Sequence, residues 1–258
     1  MDFREGVICV APDDVTLVAG VPDVPGVGVP VLALRMKPYM FSSFICTESV
    51  CLAFDLTVFY QNLFKVLKGD LLQLSGSAKA YFIDFDLLNY SEKLETRRVL
   101  ATQFPMLSTH IGRMNVPQLR NHYQVAVGIP AEDFRLLIMK LSQFGVLVLD
   151  SVMLHNPLSF TVTLHIISIY ASITATAVEF SVKNEKVIFK QPKQCTIKGA
   201  VGEDPVVLAF NLIHSDAIVN ASILSNVVLL FGQTQTHGFS VVLKFFFGRL
   251  GSLEYYFC

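Results

Sequence analysis

Residues Tyr123–Leu149 read YQVAVGIPAEDFRLLIMKLSQFGVLVL, and this stretch sets the reading of the whole chain. Tyr123, Val125 and Val127 fall on one face of a period-two pattern, which predicts a short strand. Phe134, Leu137, Ile138 and Leu141 then recur at helical spacing, and Gly145 turns the chain into a β-branched strand. Cys51–Leu74 and Val207–Phe231 have the same layout, and LAFDL at Leu52–Leu56 nearly matches LAFNL at Leu208–Leu212. A unit of strand, one helix and further strands therefore repeats at intervals of roughly 70–85 residues.

The rest of the chain follows the same style. Strands are predicted at Val7–Val10, Val15–Val18 and Val31–Met36, with a Pro-, Gly- and Val-rich loop before the third. The helix of the first repeat spans Val58–Lys68, and Ser91–Leu100 reads as an edge strand guarded by charge. Residues 105–121 carry two prolines and mixed polarity, the composition of a linker, so the expected domains are 1–104 and 122–258. A hairpin is expected over Ala177–Phe189, and the last two strands are Phe239–Phe247 and Leu253–Phe257. Short strands punctuated by single amphipathic helices make the fold class α+β with mainly antiparallel sheet.

Composition narrows the function. The chain has 258 residues, 52% hydrophobic and only 16% charged, so it buries much of its surface in a core, an interface or both. A net charge of −1 gives no global attraction to nucleic acid or anionic membrane. The five cysteines form no CxxC pair and read as buried reduced thiols of an intracellular protein; the opening MDFREG lacks the apolar core of a secretory signal. Pro157–Val178 has membrane-spanning length, but Phe160, Val162, Leu164 and Ile166 alternate with Thr161, Thr163 and His165, which predicts a strand and no membrane partner.

The motifs of catalysis are missing. No phosphate loop, GxGxxG, GxSxG or HExxH occurs, and the six histidines pair neither with one another nor with cysteine at metal spacing. Asp84 and Asp86 share one face of a predicted strand, a spacing that suits a solvated sheet face better than an acid–base pair. No catalytic residue, metal or cofactor is expected. The enzymatic alternative is an unrelated α+β scaffold using Asp84, Asp86 or a histidine.

Several segments together resemble the eukaryotic sliding clamp family, proliferating cell nuclear antigen. They are Phe41–Cys46 with Leu52–Asp70, Asn115–Pro117 with Tyr123–Leu149, Asp204–Phe231, and Leu250–Phe257. The similarity runs from near Glu5 to the end of the chain, interrupted by an apolar insertion at about 153–173. The resemblance implies two similar clamp domains per subunit, with helices inside and antiparallel sheets outside, closing into a ring as a homotrimer. It implies a nuclear processivity factor that encircles duplex DNA without reading sequence. Such a ring is placed by a clamp loader and holds DNA polymerase and repair proteins through their clamp-binding peptides. The alternative within the fold is one subunit of a heterotrimeric DNA-damage checkpoint clamp.

The resemblance also implies residue roles. Inner helices present basic side chains to phosphates; here these are Lys65 and Lys68, which match, and Arg135 and Lys140, which are displaced and flanked by Glu132 and Asp133. The third helix has His214 and Asp216 and no Lys or Arg, so weaker DNA contact than the family norm is expected. Partner peptides are expected in an apolar pocket formed by Val116, Pro117, Tyr255, Tyr256 and Phe257, although Gly20 and Ser240 stand where the family usually has Met and Pro. Subunit edges fall at Lys93, Arg97 and Arg98 on one side and at Lys186 and Phe189 on the other. The family's first strand and long basic helix have no counterpart in this sequence, and the chain stops at Cys258 without the usual tail.

Overall fold

The computed structural model describes residues 5–19, 31–66, 70–76, 82–90, 96–105, 123–144, 149–153, 160–164, 168–199, 201–212, 215–232 and 240–257. The fold is α+β, and the paired strands of each unit run antiparallel. The chain divides into two compact units, Met1–Gln118 and Leu119–Cys258, a division that falls within the Pro-bearing stretch 105–121.

Unit 1 opens with β1 (Glu5–Ala11), β2 (Asp14–Ala19) and β3 (Val31–Met36), followed by β4 (Val50–Asp55). These pair in the order β3-β2-β1-β4. Helix α1 (Leu56–Leu63) follows β4 directly because Asp55 caps it: its carboxylate accepts from the backbone N–H groups of Thr57 (2.7 Å) and Val58 (3.1 Å), two of the orphan donors every helix start must satisfy. This helix begins earlier and ends sooner than the periodicity predicts. A meander of β5 (Leu71–Gly76), β6 (Phe82–Tyr90) and β7 (Thr96–Pro105) completes the unit. The core lies between β4, β6 and α1, where Leu52, Phe54, Ile83 and Phe85 are buried and the Phe59 ring meets Phe54 at 5.1 Å and Phe85 at 6.0 Å.

Unit 2 opens with β8 (Val125–Pro130) and helix α2 (Ala131–Ser142). Phe134, Leu137, Ile138 and Leu141, the predicted stripe, are all at most 2% exposed. Next come β9 (Leu149–Met153), β10 (Phe160–Leu164), β11 (Ser168–Ile173), β12 (Ala177–Val182), β13 (Glu185–Lys190) and β14 (Thr196–Gly199). The unit ends with β15 (Val206–Asn211), α3 (Ser215–Ile223), β16 (Val227–Gly232), β17 (Val241–Phe246) and β18 (Gly251–Phe257). One sheet has the order β13-β12-β11-β15 and another runs β14-β8-β16-β17-β18. Helix α2 packs beside α3 and against β8 and β16, and its Phe134 ring meets Phe245 of β17 at 6.4 Å. No helix among the described residues is long and apolar enough to cross a membrane.

Of the stretch 153–173, expected as an insertion, the described residues are 153, 160–164 and 168–173. β9 and β10 form a two-stranded hairpin, whereas β11 is paired on both sides, with Ile169, Ala171 and Ile173 fully buried. That burial, on alternate residues, is what the apolar composition of its second half serves.

The two units share a plan. β4–α1–β5 and β15–α3–β16 occupy the same places in the order of strands, and Val50 to Val206 is the same separation along the chain as Gly76 to Gly232. In each, the glycine at the end of the strand after the helix lies under the leucine near the start of the strand before it. A Cβ on Gly76 would stand 2.9 Å from the Leu52 side chain, and one on Gly232 would collide with the Leu208 side chain.

The cysteines need a correction. Cys9 and Cys51 are directly opposite in the β1–β4 register and are joined as a disulfide, rather than being two of five reduced thiols. Cys46 and Cys195 are free. The bond closes a long loop, so Cys51→Ser should cost about 2–4 kcal/mol. Denaturant melts should show that loss, and the same loss on reducing the unsubstituted chain with dithiothreitol; a midpoint indifferent to reductant excludes the bond.

Candidate functional site

The helix surfaces come first. Lys65 lies just past α1, exposed, and its ammonium donates to the Asn62 side-chain carbonyl at 3.1 Å. Lys68 lies outside the described residues. On α2, Arg135 is half-buried and Lys140 is exposed, but the Lys140 ammonium reaches Glu185 at the start of β13, 3.3 Å away. The exposed positions of α2 and α3 include Glu132, Asp133 and Asp216 together with Leu136 and Met139. This surface is more acidic and more apolar than a phosphate-binding face requires, since non-specific DNA affinity scales with the number of cations that displace counterions.

Val116 and Pro117, the linker half of the expected pocket, lie outside the described residues. The strand half divides by the two-residue period of β18. Tyr255 and Phe257 face the core, where Tyr255 meets Phe245 at 6.0 Å and Phe257 meets Phe210 at 5.4 Å. Tyr256 points to the opposite face with Ser252 and Glu254. There the Glu254 carboxylate is fully buried and accepts from Lys244 Nζ at 2.8 Å, Ser252 Oγ at 3.2 Å and Tyr256 Oη at 2.5 Å. The Lys244 ammonium also lies 5.2 Å from the Phe246 ring centroid. Residue-type patterns in the sequence gave no sign of this cluster; the alternation Ser252, Glu254, Tyr256 on a closing strand was the one available signal.

Of the expected subunit edges, Arg97 and Arg98 lie on β7, the last strand of its meander, paired in register with Asn89 and Leu88. Lys93 lies outside the described residues. Lys186 on β13 is tied within its own sheet to Glu179 at 2.7 Å, and Phe189 is buried with its ring 6.0 Å from Phe180. β13 is the end strand of its sheet among the described residues, and Ile188 on it is 47% exposed.

For catalysis, the Asp84 carboxylate accepts from Gln103 at 2.8 Å, and Asp86 on the same face of β6 is buried. All six histidines lie outside the described residues, and no metal-binding group of His, Cys, Asp and Glu occurs among the described ones. The free Cys195 thiol is buried and donates to the Phe189 carbonyl at 3.5 Å; burial raises its pKa, partly offset by a backbone hydrogen bond at Val178, which keeps it a thiol rather than a nucleophilic thiolate. Comparison with protein-family models gives no match, and comparison with curated proteins gives none either.

Two measurements check this geometry. Glu254→Ala removes the acceptor shared by Lys244, Ser252 and Tyr256 and should cost about 3–5 kcal/mol in denaturant melts, with Glu254→Gln costing less; a loss below about 1 kcal/mol means the cluster is not buried as described. Burial pushes the Tyr255 hydroxyl up to about 12, against 10 in an unfolded chain. The folded state therefore holds the proton more tightly, and its stabilising effect is complete below pH 10 and lost as pH rises towards 12. At pH 11 the unsubstituted chain should have lost about 1.4 kcal/mol more than Tyr255→Phe, relative to each at pH 9.

Proposed function

We propose that this chain is a subunit of a ring-shaped DNA sliding clamp, a non-catalytic nuclear scaffold that encircles duplex DNA and tethers DNA polymerase and repair proteins. The single observation that carries the reading is the duplicated plan: each unit has a four-stranded sheet, a helix and a three-stranded meander in the same order, spaced alike along the chain. A ring built from repeated domains, with helices inside and sheets outside, needs a chain of this kind. The sequence resemblance supports the same reading independently, through segments in both units. Partner peptides would then dock beside β18, and subunits would join through end strands such as β7 and β13.

One observation favours the second reading, a subunit of a mixed checkpoint-type ring. The described helix surface of unit 2 combines Glu132, Asp133 and Asp216 with a Lys140 already committed to Glu185. Such a subunit would contribute little to DNA contact and would leave it to its neighbours.

Light scattering on the purified chain decides between these. A mass near three times 28.6 kDa, with retention on circular duplex DNA after loading that survives high salt and is lost when the DNA is cut, is the expected result for the self-closing clamp. A monomer that assembles only with different chains supports the mixed ring. A chain that stays monomeric with every candidate clamp subunit and never associates with DNA overturns both.

A further inference from the structure

The two units are not equally covered. In unit 2, β16 is flanked by β17 on one side and by β8 on the other, in antiparallel register from Val227↔Pro130 to Gly232↔Val125. Its Val228 and Leu230 are at most 1% exposed, and α3, packed beside α2, buries Ile218 and Ala221. The strand in the same place in unit 1 is β5. It is paired with β6, and among the described residues no strand takes the position that β8 holds on β16. Leu72 and Leu74, at the positions matching Val228 and Leu230, are 37% and 38% exposed. Helix α1 buries only Asn62, and it and the residue after it leave Tyr60, Leu63 and Phe64 at 59%, 37% and 71% exposure. The Tyr60 and Phe64 rings have only each other at ring-contact distance among the described aromatic pairs, 4.8 Å apart.

A strand edge without a partner among the described residues, beside an apolar strip, is a site for strand addition: the backbone supplies the hydrogen bonds and the alternate side chains supply selectivity. We propose that the β5–α1 surface binds a strand–helix segment of another polypeptide, which adds a strand antiparallel to β5 and lays an apolar helix stripe over Leu72 and Leu74. The chemistry of the occupant is read from unit 2. There the matching surface is covered by β8, a strand with alternate valines, running directly into α2, a helix with apolar residues at Phe134, Leu137, Ile138 and Leu141. The strand carries no charge that would oppose an apolar face, and of the helix's four charges Glu132, Asp133 and Lys140 are exposed and Arg135 is half-buried.

The test joins a second copy of Tyr123–Phe144 to the start of the full chain by a long Gly/Ser linker, which holds it near β5 at roughly millimolar effective concentration. Amide hydrogen exchange is then read across β5. Expected is exchange at least about tenfold slower at β5 in the fusion than in the parent chain, unchanged protection at β16, and return to parent rates with Leu74→Asp, a substitution the folded parent tolerates because that side chain is already partly exposed. Unchanged β5 exchange in the fusion overturns the proposal. So does β5 protection in the unfused chain that weakens on dilution together with a fall in mass, because the surface is then covered by a second copy.

Discussion

In each unit a leucine sits on a glycine, and that contact ties the strand before a helix to the strand after it. Leu52 rests over Gly76 and Leu208 over Gly232, joining the strand that enters a helix to the strand that leaves it across the space between two sheets. A Cβ at either glycine would displace the leucine side chain, so the absence of a side chain there gives the leucine its place. The aromatic residues fill what remains: Phe54, Phe59 and Phe85 in unit 1, Phe134, Phe245 and Tyr255 in unit 2. Because the helix lies between the tied strands, its buried side is fixed by the same contact, and its other side is left for whatever the protein does.

Several of the cations of unit 2 are already in use, on its helix α2 and on its strands. Lys140 is held by Glu185, Lys186 by Glu179 and Lys244 by the buried Glu254. The first two pairs are exposed and contribute little to stability, yet each lowers the number of cations free to meet a phosphate. The third is of another kind. A carboxylate with no solvent contact must be met by donors, and Lys244, Ser252 and Tyr256 supply them on the face of β18 away from the aromatic core.

The legible parts of the sequence were those with local cause. The stripe of α2 was visible because four apolar residues at helical spacing leave no alternative face, and the β12–β13 hairpin because Lys183-Asn184 interrupts two alternating runs, with Lys183 at positive φ. The start of α1 was also written locally, in the capping oxygen of Asp55, although periodicity alone placed it later. What could not be read depended on register. That β11 is paired on both sides, that Tyr256 rather than Tyr255 shares a face with Lys244, and that Cys9 meets Cys51 all follow from pairings between distant segments. A shift of one residue in such a pairing changes which side chains meet without changing a letter of the composition.

The Cys9–Cys51 bond gives that dependence on register a chemical form. It ties β1 to β4 at the pair Cys9↔Cys51, within a ladder running from Glu5↔Asp55 to Val10↔Val50. An antiparallel pair can slide only in steps that keep or exchange its faces, and a covalent tie in the ladder forbids both kinds of slide at once. When the chain refolds with this bond intact, the contact between segments 42 residues apart is already made, and the search for the correct alignment of β1 and β4 becomes a local problem rather than a long-range one.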